Sequence, residues 1–232
     1  MATRIKGLLF DKDGTLFDFH KTWGVWCGQV IDKLAADDPE LAERMADTLV
    51  FDRETQAFQK HSPVIAGTPG ELTDLVHGLF PDRTWQAVYD ELKTSAINVE
   101  QYPAVPLSPL LADFRARGLK LGVATNDVEG AAQAHLDKAG VREDFDFIAG
   151  FDSGYGSKPA PGMLLAFADQ VGLDPAEVAM VGDSTHDLHA GLAAGMVRIG
   201  VLTGMAEFND LAPHADVVLR DIGEIPAWLE AG

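Results

Sequence analysis

Residues 8–15 read Leu8-Leu9-Phe10-Asp11-Lys12-Asp13-Gly14-Thr15. An apolar run stops at a carboxylate, a second carboxylate follows two positions later, and a glycine comes next. An apolar run bounded by turn residues is the pattern of a buried strand entering a loop. Asp11 and Asp13 then stand at the carboxyl end of that strand, where open α/β sheets bind their ligands. Two carboxylates this close repel unless a proton or a cation separates them, and the simplest partner is a hard divalent ion, Mg²⁺ first. A calcium loop does not match. Counted from Asp11, such a loop wants glycine at its sixth position and glutamate at its twelfth, where this chain has Leu16 and Thr22.

Outward from this stretch, residues 5–10 form the first strand, and the next buried strand is residues 119–125, LKLGVAT. A plain βαβ unit needs only about 30 residues or a little more, so a large segment is inserted between them. Trp23, Trp26, Val30, Ile31 and Leu34 repeat at helical spacing over residues 22–36, and Asp37-Asp38-Pro39 ends that helix. The helical pattern continues over 40–60. A loop runs from His61 to Gly70, and further helices are expected near 70–78 and 84–97. The insert is therefore read as mostly helical over residues 18–100, with Tyr102-Pro103 as the return linker.

Beyond it the pattern alternates. Helices are expected at 108–117, 128–139, 160–171, 185–194 and 222–229. Strands are expected at 145–149, 178–181, 196–201 and 216–219. Strands alternating with helices give a parallel sheet covered on both faces. The expected architecture is α/β: a Rossmann-like parallel sheet sandwiched by helices, with an inserted all-α unit. The two parts are residues 1–17 with 101–232, and residues 18–100.

The 232 residues carry a formal net charge of −18. Such an acidic chain is poorly suited to nucleic acid or to anionic membrane surfaces, so a phosphate substrate would need positive charge concentrated locally. No stretch approaches the roughly 18–20 apolar residues of a membrane-spanning helix. Arg4, Lys6 and the short apolar run after them resemble a signal peptide only superficially, because the run ends at Asp11. The single cysteine, Cys27, excludes an internal disulfide and points to a reducing, cytoplasmic setting.

Four strand ends or their loops carry polar residues: Asp11 and Asp13; Thr125 and Asn126 in ATND; Lys158 in GSKPAPGM; and Asp183 with Asp187 in GDSTHD. All lie at or just past carboxyl ends of parallel strands, so they can converge. A carboxylate can attack phosphorus and form an aspartyl-phosphate. Its neighbour can protonate the leaving alcohol and then activate water. Mg²⁺ would offset the repulsion between an anionic nucleophile and an anionic phosphate. Thr125, Lys158 and the backbone N–H groups near residues 12–14 could hold the phosphate oxygens.

These residues resemble the haloacid dehalogenase-like hydrolases. DKDGT, ATN, SKPAPG and GDSTHD look like the four motifs of that superfamily, in order, across the core. The helical insert after the first motif resembles the helical cap of the phosphoglycolate phosphatase-like branch. The resemblance implies Asp11 as nucleophile, Asp13 as acid and base, and phosphate binding by Thr125, Asn126 and Lys158. It implies Mg²⁺ on Asp11, the Asp13 carbonyl and Asp183, with Asp187 an indirect ligand. The dehalogenases lack the second aspartate, so Asp13 argues for phosphate chemistry. The expected activity is Mg²⁺-dependent hydrolysis of a small phosphorylated metabolite, phosphoglycolate-like, by a monomer or homodimer. The alternatives are a phosphomutase of the same family or a non-catalytic binding protein on this fold. Within the cap, Arg53, His61 and Thr68 are candidates for reading the substrate. Trp23, Trp26 and Phe58 are expected in the cap interior, Cys27 as a small buried residue, and His186 and His189 facing solvent.

Overall fold

A computed structural model describes residues 5–65 and 67–231 of the chain. Arg4, and Ala66 within the loop from His61 to Gly70, lie outside the described residues. Strand β1, Gly7–Phe10, is entirely buried. Leu8 and Phe10 point into one hydrophobic cluster and Leu9 into another, on the opposite face of the sheet. This is why its apolar residues run without interruption: both faces of a parallel sheet are covered.

After β1 the chain enters the insert. A wide helical turn at His20–Gly24 leads into α1, Val25–Ala35, followed by α2, Pro39–Leu49. Asp38 caps α2, its carboxylate accepting from the Leu41 N–H. Residues 50–60 depart from the helical expectation. β2, Phe51–Asp52, pairs antiparallel with β3, Ala57–Phe58. The helix stops at Val50, which adopts left-handed backbone angles at φ 53°; Gln56, at φ 52°, lies in the turn of the hairpin, and the rings of Phe51 and Phe58 pack against each other in the interior, 4.9 Å apart and tilted by 56°. The insert is thus helical with one short hairpin. α3, Pro69–His77, and α4, Trp85–Asn98, complete it.

The insert has its own hydrophobic cluster, which includes Trp23, Trp26, Cys27, Met45, Phe58 and Leu92. Phe17 belongs to the sheet-side cluster and Phe19 to the insert cluster, so the chain crosses between them at residue 18. The outgoing and returning linkers are hydrogen-bonded to each other: Asp18 N–H donates to the Tyr102 carbonyl at 2.7 Å, and Ala104 N–H to the Leu16 carbonyl at 2.9 Å.

The rest alternates as the sequence predicts, with one short helix, α9, that it does not: α5 (Leu107–Ala116), β4 (Lys120–Ala124), α6 (Glu129–Lys138), β5 (Phe147–Ala149), α7 (Gly162–Val171), β6 (Val178–Gly182), α8 (Thr185–Ala194), β7 (Val197–Val201), α9 (Phe208–Leu211), β8 (Val217–Leu219) and α10 (Ile225–Ala231). The six long-range strands form one parallel sheet in the order β5-β4-β1-β6-β7-β8. The chain runs from β1 outward through β4 to β5, then returns to the other side of β1 for β6. This reversal beside β1 makes the crevice in which such sheets bind ligands. Among the described residues no helix is long and apolar enough to cross a membrane.

Candidate active site

Asp11 follows β1 directly, Thr125 and Asn126 follow β4, and Asp183 follows β6. Lys158 comes from the loop between β5 and α7, and Asp187 from the first turn of α8. The sheet brings all of them to one cavity, together with Asp13. Lys158 is 4% exposed, and its ammonium donates to Asp11 Oδ1 at 2.6 Å and pairs with Asp187 Oδ1 at 2.6 Å. Carboxylate oxygens of Asp11, Asp183 and Asp187 lie within 4.8 Å of one another, all three residues buried.

This packing has an electrostatic cost. Burial pushes the Asp11 carboxyl up to about 7, with Lys158 opposing and Asp187 and Asp13 adding to the rise. Burial raises Asp183 well above the usual carboxylate range, and Asp187 and Asp11 raise it further. Three buried carboxylates face one ammonium, an excess of two negative charges when all are ionised. A divalent cation with oxygen ligands fits that excess and that donor set.

The positions of these groups follow from local chemistry. Gly14 has φ 78°, which lets residues 12–17 turn tightly, with Gly14 N–H donating to the Phe17 carbonyl at 2.7 Å. A Cβ on Gly14 or on Gly204 would overlap the Asp183 carboxylate, so both glycines make room for it. Thr15 Oγ1 donates to Asp183 Oδ1 at 3.3 Å. Asp187 is fixed by reciprocal capping of α8: its Oδ2 accepts from the Ser184 N–H and hydroxyl at 3.0 and 2.7 Å. Asn126 grips the Lys158 backbone from both sides, its Nδ2 donating to the Lys158 carbonyl at 3.0 Å and its Oδ1 accepting from the Lys158 N–H at 2.8 Å. It therefore positions the lysine while also lining the cavity.

Three residues at the site, Trp23, Lys12 and His135, were not assigned to it from the sequence, which placed Trp23 in the insert interior. Trp23, in the insert, donates its indole N–H to Asp13 Oδ1 at 2.7 Å. The other Asp13 oxygen pairs at 2.9 Å with Lys12, which is fully buried. Lys12 also reaches Asp127 Oδ2 and His135 Nδ1, each at 2.9 Å. His135 in turn sits 3.1 Å from Gln101 Nε2 and 3.0 Å from the Ala96 carbonyl at the end of α4. Burial first, then the Lys12 charge, pushes His135 down to about 3. The imidazole is therefore neutral, with Nε2–H donating to Ala96 and Nδ1 accepting from Lys12.

The cap candidates separate. Arg53 is not at the cavity: its guanidinium bonds Glu43 at 2.6 Å and Asp32 at 3.0 Å, tying α2 to α1. Thr68 is the N-cap of α3, its hydroxyl and N–H both committed to Glu71. Only His61 lies at the opening, exposed. The Val64 and Ile65 side of the same loop does line the cavity, as do Trp23 and Trp26, which serve in the insert interior as well. His186 is exposed and borders the cavity mouth, and His189 is exposed beside His214.

A family model for haloacid dehalogenase-like hydrolases matches residues 5–195. The chain is 30% identical to the phosphoglycolate phosphatase of Chromobacterium violaceum, over 98% of both proteins. It is 28% identical to that of Escherichia coli, over 95% of this chain and 91% of the relative. The solved β-phosphoglucomutase of Clostridium difficile superposes with a TM-score of 0.66 at 17% identity, over 98% of each chain, a likeness of fold alone.

Proposed function

Since the chain belongs to the haloacid dehalogenase-like hydrolases, we propose that it is a phosphatase that hydrolyses a small phosphomonoester through an aspartyl-phosphate on Asp11. The observation that carries this reading is the buried ammonium of Lys158 set between Asp11 and Asp187, 2.6 Å from each. Lys158 supplies the local positive charge that so acidic a protein needs to admit a dianionic phosphate, and it orients the attacking carboxylate.

In the reaction Asp11 attacks phosphorus as the bond to the leaving alcohol breaks, and Asp13 delivers a proton to the departing oxygen. Asp13 then takes a proton from water, which attacks the aspartyl-phosphate and releases inorganic phosphate with Asp11 restored. Trp23 and Lys12 hold the two oxygens of Asp13, so its carboxyl group cannot rotate away between the two steps. Thr125, Lys158 and the backbone N–H groups of the turn after β1 face the phosphate oxygens, and Asn126 keeps Lys158 in place. Asp11, Asp183 and the Asp13 carbonyl would hold Mg²⁺, with Asp187 behind them. When bound, the ion offsets the charge of nucleophile and phosphate. The insert acts as a cap over this chemistry, and a reducing cytoplasm suits the single buried cysteine.

Phosphate release from p-nitrophenyl phosphate, with and without Mg²⁺, tests the reading. Mg²⁺-dependent turnover supports it, and absence of turnover under both conditions overturns it. A phosphomutase on the same fold would isomerise a sugar phosphate without net phosphate release, so phosphate release measured on a sugar phosphate separates the two.

A further inference from the structure

We infer that the leaving group this site accepts is an uncharged alcohol with an apolar body, and that a carboxylate-bearing ester such as phosphoglycolate is a poor fit. The inference rests on the phosphatase reading and narrows its substrate class.

The cavity has two unlike walls. The sheet side carries the carboxylates, Lys158 and the polar loop ends. Among the described residues, every insert residue that lines the cavity is apolar, Phe19, Trp23, Trp26, Ile65, Leu72 and Leu92 chief among them. No insert lysine, arginine or histidine reaches this inner chamber, and no insert hydroxyl does either. The two indoles offer only their ring faces and edges, because their N–H groups are already used, by Asp13 at 2.7 Å and by Ser95 at 3.1 Å. The hydroxyls nearest in sequence to the chamber are consumed too. Thr68 bonds Glu71 at 2.9 Å, Thr73 bonds the Pro69 carbonyl at 2.7 Å, and Ser62 bonds the Leu49 carbonyl at 2.6 Å.

A phosphate bound at Asp11 and Lys158 projects its leaving group into this wall. The carboxylate of 2-phosphoglycolate is one methylene from the ester oxygen, so it cannot extend past the chamber. It would meet hydrocarbon and indole faces, with Lys158 already held by Asp11 and Asp187 and only the exposed His186 of the sheet side as a further basic group among the described lining residues, and burying an unpaired charge is strongly unfavourable. The wider opening does not supply that cation. Lys60 there is paired with Glu207 at 2.9 Å, and Glu71, Asp74 and Asp210 share the same rim. The other basic groups there, among the described residues, are Lys158, committed to Asp11 and Asp187, the exposed His61, and the exposed His186, which borders the inner chamber as well. An apolar body, by contrast, exchanges water for ring and methyl contacts, and each added methylene in such a pocket is worth on the order of tenfold in kcat/KM.

The test measures kcat/KM for methyl, butyl and benzyl phosphate and for 2-phosphoglycolate, together with calorimetric binding of benzylphosphonate and phosphonoacetate, which need no turnover. The expected result is a rise of at least tenfold from methyl to butyl or benzyl, with 2-phosphoglycolate at least tenfold below benzyl, and benzylphosphonate binding the tighter of the two phosphonates. Ile65→Asp, in the half-buried loop that lines the chamber, should lower kcat/KM for benzyl phosphate about tenfold more than it lowers kcat/KM for methyl phosphate, and equal losses on the two esters would count against the inference. Efficient turnover of 2-phosphoglycolate above benzyl phosphate, lost in His186→Gln, would overturn the inference and leave the phosphatase reading standing. A flat series with equal phosphonate affinities would overturn it as well. No turnover of any ester, with benzylphosphonate still preferred, would remove the phosphatase reading while supporting the apolar recognition.

Discussion

The indole N–H of Trp23, on the insert, is bonded to Oδ1 of Asp13, on the loop after the central strand, at 2.7 Å. A residue in one hydrophobic cluster thus fixes a proposed catalytic carboxyl group attached to another. Trp23→Phe keeps the ring and removes only the donor. Turnover is expected to fall about tenfold with KM within twofold, since positioning of a general acid is a transition-state effect. In an Asp13→Asn background the same substitution should cost almost nothing further, because the two act as one unit. Additive losses would show that Trp23 acts elsewhere.

Asp11→Asn retains size and shape and removes the attacking charge. The expected loss is at least about three orders of magnitude in turnover, with an unchanged circular dichroism spectrum. A variant keeping more than about a tenth of wild-type activity would remove Asp11 from the nucleophile role.

Chelation should abolish activity, Mg²⁺ should restore it, and Ca²⁺ should restore it poorly, because calcium accepts looser and higher coordination. Asp183→Ala should weaken Mg²⁺ binding, read by calorimetry, while raising the Tm of the metal-free protein, because one of three mutually repelling buried carboxylates is gone. Undiminished activity in EDTA would take the ion out of the mechanism.

His135 makes stability depend on pH with a defined sign. Its imidazole faces Lys12, Asp127, Gln101 and the Ala96 carbonyl, with Lys138 nearby, and it titrates at about 3 in the folded protein against 6.5 ordinarily. Between those values the unfolded chain takes up a proton that the folded protein does not. Stability from this group is therefore complete above about pH 6.5 and is lost as the pH falls toward 3. At pH 5 the loss is up to about 2 kcal/mol, or roughly 4–8 °C in Tm for a chain of this size. His135→Gln, which does not titrate, should narrow the Tm difference between pH 7 and pH 5 by about that amount. An identical pH slope in the variant would exclude His135 as its source.

The parallel sheet was legible because β1, β4 and β6 are continuous apolar runs ending in polar residues, and the polar ends of those runs meet in one cavity. Residues 50–60 misled because Phe51 and Phe58 also fit a helical spacing. The hairpin is decided by two left-handed residues, Val50 and Gln56, that neither propensity nor pattern announces. Arg53, Lys60, His61 and Thr68 clustered in sequence, but proximity along the chain said nothing about their partners. Arg53 and Lys60 each find acidic neighbours, and Thr68 finds a helix end. Trp23 and His135 were not assigned to the site because their partners are distant in sequence: Trp23 reaches across the boundary between insert and sheet to Asp13, and His135 meets Lys12 more than a hundred positions away and the Ala96 carbonyl of the insert.

The central place of β1 has a consequence for how the chain is made. Gly7 pairs with Lys120 on one side and Val178 on the other, so β1 is made more than a hundred residues before either of its neighbours. At a ribosomal pace of roughly 5–20 residues per second, its four buried apolar positions wait on the order of ten seconds for the first of these partners. During that interval the insert, whose contacts are mostly local, can gather its own cluster, while β1 remains an unpaired, sticky edge. A chain that stalls between the end of α4 and the start of β4 would expose that edge indefinitely, which makes nascent-chain aggregation, rather than loss of a folded contact, the expected failure of truncated products.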